Sequence, residues 1–291
     1  MRRLLIVGCG DVLRRALPEI VRRWRVYALV RERDAGLAAL GVTQIVGDLD
    51  RRGSLGRLAG LAHAVIHSAP PAEGSNDCDG DPRTQRLLAV LRRGSLPRQL
   101  VYISTSGVYG DCQGEAVPET RPCRPATARA RRRLAVERLL RRFGAVSCCR
   151  VSILRSPGIY AADRLPLERL RRGSPVLRAE EDVVTNHIHA EDLGRACIAA
   201  LGRGRANRVY NVSDDSPLAM GDWYDRLADA FALPRPPRVT PREASERLPP
   251  AVLSFMNESR RLDNGRLKRE LGLRLRYPTV DAGIAAALEK N

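Results

Sequence analysis

Residues 1–155 alternate short apolar runs with helical stretches, and this alternation constrains the fold more than any other feature. The first run, Leu4–Val7, is continuously apolar, as expected for a parallel strand that is buried on both faces. Five similar runs follow, and they are Val26–Val30, Thr43–Val46, Ala64–His67, Leu100–Ser104 and Arg150–Leu154. Strands that alternate with helices predict an α/β fold with a doubly wound parallel sheet. Its ligand crevice should lie at the carboxyl ends of the strands.

The rest of the chain predicts a smaller lobe that supplies a substrate site. One helix is expected at Asp163–Arg172 and a strand within Asp182–Ile188, whereas Val209–Val212 should return to the main sheet as a seventh strand. We therefore assign residues 1–155 and about 190–212 to the sheet domain. Residues from about 156 to 189 and from 213 to 291 form a discontinuous substrate lobe in this assignment.

The basic excess of the chain is an arginine excess. The sequence carries a formal net charge of +17, and lysine occurs only at Lys268 and Lys290. A basic face can bind the phosphates of nucleic acid, but arginines spread along the whole chain favour a compositional bias over a selected surface. We therefore do not expect nucleic acid as a partner. The charge would instead attract an anionic small-molecule substrate or a phosphorylated cofactor.

Other broad classes are also disfavoured. No apolar run approaches the roughly 18 to 20 residues of a membrane span, and Leu4–Val7 is too short for the core of a signal peptide. The seven cysteines lack a regular spacing, which favours reduced thiols. His187 and His189 are not accompanied by further ligands at metal-binding spacing. The sequence predicts a cytoplasmic protein without a metal, either a monomer or a homodimer.

The segment Gly8-Cys9-Gly10 predicts a dinucleotide phosphate site, because it follows a strand and opens a helix. Gly8 would allow the tight turn, and Gly10 would let backbone N–H groups approach a pyrophosphate at the helix N-terminus, where Asp11 and Val12 follow. Leu13 stands where a third glycine is usual. The alternative is a plain turn between strand and helix in a domain that binds another ligand.

The end of the second strand distinguishes the two nicotinamide dinucleotides. An acidic residue there would bind the ribose 2′-hydroxyl of NAD, whereas this chain has Arg31, with Arg33 close behind. A guanidinium pairs with phosphate oxygens in a bidentate manner. The sequence therefore favours NADP, although Glu32 and the possibility of solvated arginines leave NAD open.

The stretch from Val101 to Glu137 carries a family resemblance. It begins with Val-Tyr-Ile-Ser-Thr-Ser-Gly-Val-Tyr-Gly and ends within a predicted helix at Ala130–Arg142. It resembles the active-site region of an extended short-chain dehydrogenase/reductase of the epimerase/dehydratase branch, which has a Rossmann fold. Segments at 154–160, 186–193 and 210–215 resemble the same family in the same order. The resemblance covers nearly the whole chain and implies an NAD(P)-linked oxidoreductase, epimerase or dehydratase.

The resemblance also implies which residues bind the cofactor. Asp48 would accept a hydrogen bond from the adenine amino group, and Leu49 would pack on the adenine ring. Ala69 would lie in a turn beside the cofactor, and Ser104 at the end of the fifth strand is assigned to the same site. Pro157 and Gly158 would touch the nicotinamide end.

The proton relay of the resembled family is replaced in this sequence. Counting back from Glu137, Arg133 and Arg129 occupy the positions of the family's lysine and tyrosine. Thr105 aligns with the hydroxyl that orients the substrate carbonyl. A guanidinium stays protonated and cannot replace the tyrosine as a proton donor and acceptor. Arg133 could still bind the cofactor ribose or fix positive charge near the site.

Two functions stay open on the sequence. In the first, an atypical enzyme transfers hydride with another proton donor, and Tyr109 and Tyr160 are candidates because both lie near predicted strand ends. The alternative for each tyrosine is simple packing in a turn. In the second, the protein binds NADP without turnover and acts as a sensor or scaffold. Residues Arg129–Arg133 would then hold an anionic ligand or form a solvated helix start.

Overall fold

The computed structural model describes residues 1–73 and 81–289. Part of the predicted loop at Pro70–Asp81, including Cys78, therefore lies outside the described residues. Lys290 lies outside them as well. The strands in chain order are β1 (Arg2–Val7), β2 (Trp24–Val30), β3 (Thr43–Val46), β4 (Ala64–His67), β5 (Gln99–Thr105), β6 (Ala116–Val117), β7 (Arg150–Ser156), β8 (Gly158–Tyr160), β9 (Val176–Leu177), β10 (Val184–Thr185), β11 (His187–His189), β12 (Arg208–Asn211), β13 (Leu218–Ala219), β14 (Arg238–Val239) and β15 (Arg261–Leu262).

The helices lie between these strands and after them. In chain order they are α1 (Asp11–Ile20), α2 (Ala35–Ala39), α3 (Pro82–Leu91), α4 (Ala128–Ser147), α5 (Leu167–Arg171), α6 (Ala190–Arg203), α7 (Met220–Ala230), α8 (Pro241–Arg247), α9 (Pro250–Met256), α10 (Gly265–Leu271) and α11 (Val280–Leu288). Short 3₁₀ segments occupy Arg52–Leu58, Ser106–Tyr109, Ala162–Arg164 and Ala179–Glu181. Within the described residues, no helix combines the length and the apolar character needed to cross a membrane.

Seven strands form one parallel sheet in the order β12-β7-β5-β4-β1-β2-β3. The doubly wound sheet is therefore confirmed, and so is the return of a seventh strand, because β12 pairs with β7. The chain leaves β1 toward β2 and β3 and later returns to pair β4 on the other side of β1. This reversal places the topological switch between β1 and β4, where open α/β sheets bind ligands.

The apolar run of β1 is buried on both faces, as its sequence predicts. Leu4 and Ile6 pack in a core with helices α1 and α6, whereas Leu5 and Val7 pack in a second core with α3 and α4. A third core joins α7, α11 and the segments around β8 and β9, and it forms the interior of the lobe. Helix α10 packs instead against α6 and β12, beside the sheet.

Three predicted elements of the fold differ in detail. The single helix expected at Asp163–Arg172 is a 3₁₀ turn followed by α5, because Pro166 lacks the N–H that a continuous helix requires. The expected strand within Asp182–Ile188 is two short strands, β10 and β11. Helix α4 begins earlier than expected, where the hydroxyl of Thr127 accepts a hydrogen bond from the N–H of Ala130 at 3.2 Å.

Candidate functional site

Two cavities open at the carboxyl ends of the sheet strands. The glycine-turn cleft, about 910 Å³, is bounded by the turn after β1, the end of β2 and the turn after β4. The lobe cavity, about 570 Å³, lies between the end of β5, the start of α4 and the lobe. The cavities share a wall, and the residues that line both are Ile103, Arg133, Ile159 and Arg164.

The turn after β1 requires a glycine at one position and leaves open space at the other. Gly8 has φ of +90°, and a Cβ there would lie 2.5 Å from the backbone nitrogen of Ala69. The Ser68 hydroxyl donates to the carbonyl of Gly8, which ties the turns after β1 and β4 together. A Cβ on Gly10 would meet nothing within 4 Å. The N-terminus of α1 therefore faces open space in the cleft, with room for a phosphate to approach.

Charged side chains connect this turn to the lobe. Asp11 accepts hydrogen bonds from Arg164 at 2.9 Å and from Arg15 at 3.0 Å. Burial raises the pKa of Asp11, but these two hydrogen bonds outweigh it and bring the pKa below its ordinary value. Arg15 also reaches Asp163, with nitrogen–oxygen distances of 2.5 and 2.7 Å. Helix α1 is thus tied to the lobe by two kinds of ion pair: its Asp11 binds an arginine of the lobe, and its Arg15 binds an aspartate of the lobe.

The end of β2 places Arg31 and Glu32 in the wall of the cleft, and both side chains are exposed. Arg33 is also exposed but is not among the residues that line the cleft. Asp34, in the same wall, caps α2 through the N–H of Leu37 and forms an ion pair with Arg14. One cation, Arg31, is therefore placed where the sequence expects a 2′-phosphate.

Asp48 and Leu49 follow β3 after the intervening Gly47 and do not line the cleft within the described residues. The Asp48 carboxylate accepts a hydrogen bond from the N–H of Asp50 at 2.9 Å, and the backbone N–H of Asp48 donates to the Ser54 hydroxyl at 2.9 Å. Leu49 is buried. Val12 and Ala69, by contrast, lie in the wall of the cleft.

Below the lobe cavity, a buried cluster occupies the end of β5. The Ser104 hydroxyl donates to Glu137 at 2.6 Å, and Arg155 donates to the other oxygen of this carboxylate at 2.6 Å. The Arg155 and Glu137 side chains are 4% and 1% exposed. Ser104 and Arg155 are therefore committed to a structural network, although Ser104 also lines the cavity. Thr105, the next residue, lines the cavity and accepts from the N–H of Gly107 at 3.2 Å.

Helix α4 presents two arginines to the cavities. Arg133 donates to the carbonyl of Ile103 at 2.8 Å and to the Tyr102 hydroxyl at 3.0 Å, within the shared wall. Arg129 lies one turn earlier in the wall of the lobe cavity, with its guanidinium carbon 4.9 Å from the ring centre of Phe255. Arg133 therefore brings fixed positive charge to the place where the cavities meet, and Arg129 brings it to the lobe cavity alone.

The two candidate tyrosines have different placements. Tyr109 is 1% exposed, lines neither cavity within the described residues, and donates its hydroxyl to Asn211 at 2.7 Å. Burial raises the pKa of Tyr109 to about 12. Tyr160 lines the lobe cavity, but its hydroxyl donates to the carbonyl of Thr279 at 3.3 Å. Burial also raises the pKa of Tyr160 above its ordinary value.

The sequence pattern of the NAD dependent epimerase/dehydratase family matches residues 10–213, more than half of the chain. The match begins in the glycine turn and ends just after β12, so it covers six of the seven sheet strands, all except β1, and the shared wall of the two cavities. The chain belongs to this family. The resemblance drawn from the sequence is confirmed.

Solved structures of the family's fold cover almost the whole chain. A functionally unknown conserved protein from Silicibacter pomeroyi DSS is 30% identical with a TM-score of 0.80, and the match covers 100% of this chain and 99% of that one. UDP-glucose 4-epimerase from Thermotoga maritima, solved with UDP-glucose, is 18% identical with a TM-score of 0.79, covering 99% and 97%. The dTDP-glucose 4,6-dehydratase DesIV from Streptomyces venezuelae, solved with NAD, is 22% identical with a TM-score of 0.78, covering 99% and 96%. No curated protein matches.

Within this epimerase/dehydratase fold, sequence reasoning missed the aromatic wall of the lobe cavity. Trp223 and Tyr224 lie on α7, which the sequence shows only as an amphipathic helix, and Phe255 lies on α9. Arg169 lines the same cavity and donates to the Tyr224 hydroxyl at 3.0 Å. His187, which the sequence disfavours as a metal ligand, also lies in this wall. Two neighbouring aromatic residues on one helix were the available signal.

Proposed function

We propose that this protein binds a nicotinamide dinucleotide in the glycine-turn cleft, NADP in preference to NAD. We further propose that it acts on an anionic small molecule in the lobe cavity, as an oxidoreductase or a related epimerase or dehydratase. The observation that carries the proposal is the shared wall, because one molecule in each cavity would meet beside Arg133 and Ile159. In this proposal residues 1–155 and 190–212 hold the cofactor, and residues 156–189 and 213–291 hold the substrate.

The residues of the cleft fit the cofactor. Gly8 and Gly10 leave the N-terminus of α1 open for a pyrophosphate. Arg164 and Arg15 neutralise Asp11, so its carboxylate does not oppose an anionic ligand there. Arg31 in the wall favours a 2′-phosphate. A bound nicotinamide ring would supply the hydride acceptor or donor.

At the substrate end, Thr105 would orient a substrate oxygen through its hydroxyl, and Arg133 would hold positive charge against the cofactor ribose. Pro157 and Gly158 line the lobe cavity and would border the nicotinamide end. Tyr160 would form part of the cavity wall, because its hydroxyl donates to the carbonyl of Thr279.

An anionic substrate is favoured by the arginines that line the lobe cavity. Arg129 and Arg169 lie there beside aromatic rings, and Arg260 lies in the wall as an ion pair with Glu258. Cations beside aromatic faces suit a ligand that has both a phosphate or carboxylate and a flat apolar surface. Sugar nucleotides combine these properties, and two structures of similar fold belong to enzymes of UDP-glucose and dTDP-glucose.

A second function is a sensor or scaffold that binds NADP without turnover. The placement of Arg129 favours it, because a guanidinium in this wall cannot exchange a proton with the substrate. The engaged hydroxyls of Tyr109 and Tyr160 favour it as well. The two functions share the cofactor cleft and differ only in turnover.

Cofactor binding is tested by calorimetry with NADP⁺ and NAD⁺. We expect NADP⁺ to bind more tightly, and Arg31→Asp to shift the preference toward NAD⁺ by about tenfold or more, as expected when a charge-assisted hydrogen bond to phosphate is lost. Arg33→Asp is the matched control, since Arg33 is equally exposed but lies outside the cleft wall. The proposal is rejected if neither dinucleotide binds the wild type at millimolar concentration.

Turnover is tested separately with the cofactor that binds. The protein is incubated with a panel of nucleotide sugars, including UDP-glucose and dTDP-glucose, and nicotinamide absorbance and product composition are followed. The enzyme proposal expects conversion of at least one member. Binding of the cofactor with no conversion of any panel member would favour the sensor instead.

A further inference from the structure

His187 holds an unusual place in the lobe cavity. It lies on β11, is 7% exposed, and belongs to the cavity wall. The ring of Trp223 lies over it, with ring centres 4.5 Å apart and an angle of 33° between the planes. Tyr160 meets it edge-on at 6.3 Å and 82°. These two contacts fix the plane of the imidazole, so its ring nitrogens point in defined directions.

One ring nitrogen of His187, Nδ1, is buried and makes no hydrogen bond to any described residue. A neutral imidazole carries one N–H, and placing it on Nδ1 would bury an unsatisfied donor. With the proton on Nε2, Nδ1 stays buried without a partner as an acceptor, but the N–H is placed on a nitrogen that is not buried in this way. Burial also lowers the pKa of His187 to about 4, so the ring is neutral near pH 7.

The Cδ2–Nε2 edge of the ring lies beside Gly158 in the wall of the lobe cavity. Strands β8 and β11 pair so that His187 lies opposite Gly158. A Cβ built on Gly158 would be 3.4 Å from Cδ2 and 4.0 Å from Nε2 of the histidine. Because residue 158 is an exposed glycine in the cavity wall, it contributes no side chain that would cover this edge. Nε2 therefore lies beside the segment that would border the nicotinamide end.

Three other polar groups of the cavity wall are committed elsewhere. Ser104 donates to Glu137, Tyr160 donates to the carbonyl of Thr279, and Arg133 donates to the carbonyl of Ile103. Thr105 remains, and its oxygen already accepts from a backbone N–H. His187 thus adds a second neutral donor to the cavity, in addition to the Thr105 hydroxyl, which keeps its own proton to donate.

We propose that His187, as a neutral imidazole with its proton on Nε2, donates a hydrogen bond to the substrate oxygen at the reacting carbon. This inference rests on the proposed function and deepens it, because it names a residue that contacts the substrate. A preorganised neutral donor stabilises negative charge that develops on such an oxygen, and it does so without becoming a permanent cation. The substrate would be a carbonyl compound or secondary alcohol whose anionic part lies toward the cavity arginines.

The first test is nitrogen NMR of protein labelled with ¹⁵N-histidine. The chain has only four histidines, so single substitutions assign each signal. We expect His187 to show the Nε2–H tautomer from pH 5.5 to pH 8. NADP⁺ should shift its Nε2 resonance, and ADP-ribose 2′-phosphate, which lacks the nicotinamide, should shift it less.

His67 is the matched control. Burial also lowers its pKa to about 4, but its Nε2 lies 3.0 Å from the Thr84 hydroxyl and it lines neither cavity within the described residues. Its resonances should not respond to NADP⁺. The inference is overturned if His187 carries its proton on Nδ1, is charged at pH 6.5, or ignores NADP⁺ that calorimetry shows to be bound. Absence of NADP⁺ binding in calorimetry would instead reject the proposed function.

The second test uses a nucleotide sugar that the wild type converts. His187→Phe keeps the stacking on Trp223 and should lower kcat about 10²-fold or more with little change in KM, as for loss of one oxyanion donor. His187→Gln retains an N–H donor and should recover part of kcat. His67→Gln should retain kcat. An unchanged kcat in His187→Phe overturns the inference.

Discussion

The two cavities of this protein are built from different materials. The glycine-turn cleft is formed by backbone and by ion pairs, such as Asp11 with Arg164 and Arg14 with Asp34. The lobe cavity is formed largely by side chains, and it holds the rings of Tyr160, Trp223, Tyr224 and Phe255 although aromatic residues make up only 4% of the chain. Polar atoms without a partner among the described residues also occur there, at His187 and Arg169.

This difference separates two kinds of recognition. A cleft made of backbone N–H groups and paired charges suits a ligand part that is the same in every turnover, such as a pyrophosphate. A cavity made of side chains can be changed residue by residue without disturbing the sheet. Mutations that disturb the backbone of the cleft, as at Gly8, should therefore act on the fold and the cofactor together, whereas mutations of the side chains that line the lobe cavity should act on the substrate.

The largest expected effect lies beneath the lobe cavity, at the Glu137–Arg155 pair. Glu137→Gln keeps the shape of the side chain but leaves the buried Arg155 guanidinium without a compensating charge. We expect a loss of about 3 to 5 kcal/mol in the free energy of unfolding, measured with chemical denaturant. Glu168→Gln is the control, since its pair with Arg172 is exposed and should contribute less than about 1 kcal/mol. Equal losses in the two variants would contradict the structural role of the buried pair.

The glycine turn should separate stability from binding. Gly8→Ala forces a Cβ to within 2.5 Å of Ala69 at a positive φ, and we expect a loss of about 3 kcal/mol from strain and overpacking. A Cβ on Gly10 meets nothing within 4 Å, so Gly10→Ala should leave the melting temperature nearly unchanged. It should nevertheless weaken NADP⁺ binding, because the Cβ occupies the space that a phosphate would enter. Thermal unfolding and calorimetry on both variants decide this, and undiminished affinity in Gly10→Ala would place the pyrophosphate elsewhere.

Asp214 provides a pH-dependent prediction next to the lobe cavity. Its N–H donates to the carbonyl of His187, one carboxyl oxygen accepts from the N–H of Ser216, and the other has no partner among the described residues. Burial raises the pKa of Asp214 from 3.8 to about 8. Between these values the unfolded chain is ionised there while the folded protein keeps its proton. The group therefore lowers stability increasingly as the pH rises from 4 to 8.

Asp214→Asn removes this titration and keeps the acceptor for Ser216. We expect the free energy of unfolding of the variant to exceed that of the wild type by a margin that grows by about 2 to 3 kcal/mol as the pH rises from 6 to 8. The buried His67 and His187 have the opposite pH dependence, because their contribution to the stability of the protein is lost as the pH falls from about 6.5 toward about 4. Both histidines are present in the wild type and in the variant, so this contribution cancels in the difference. A constant difference at all pH values would show that Asp214 is ionised in the folded state.

The fold was predictable because its signals are local. A continuous apolar run, as in Leu4–Val7, indicates a strand buried on both faces, and the glycines that follow specify the turn. The same locality explains the placement of Arg31, since the residue after β2 must lie at the carboxyl edge of the sheet. Pro166 is an equally local signal for the break before α5, but the prediction of a single helix at Asp163–Arg172 did not take it into account.

The lobe cavity was less predictable because the direction of a side chain depends on distant partners. Tyr109 follows a strand end, yet its hydroxyl meets Asn211, which is 102 residues away in the chain. Trp223 follows the apolar period of α7, and this period does not distinguish a core position from a cavity wall. His187 becomes informative only through its pairing with Gly158.

The smallest expected effect tests whether the two cavities are coupled through Arg164. This residue lines both cavities and donates to Asp11 at 2.9 Å, beside the open N-terminus of α1. Arg164→Gln would leave the Asp11 carboxylate facing the bound pyrophosphate with less compensating charge. We expect about tenfold weaker NADP⁺ binding at low salt and a smaller difference at high salt, since the groups are partly exposed.

A double-mutant cycle shows whether the loss acts through the carboxylate. Asp11→Asn in the Arg164→Gln background should restore most of the affinity, because the repelling charge is gone, and calorimetry with NADP⁺ measures all four proteins. Arg172→Gln is the matched control, an exposed lobe arginine whose partner is Glu168 and which lines neither cavity within the described residues. Strictly additive effects would mean that Arg164 and Asp11 act on the cofactor independently. Arg164 would then act on the cofactor directly from the shared wall and not through the carboxylate of Asp11. The two cavities would in that case be more independent of each other than the ion pair between Arg164 and Asp11 indicates.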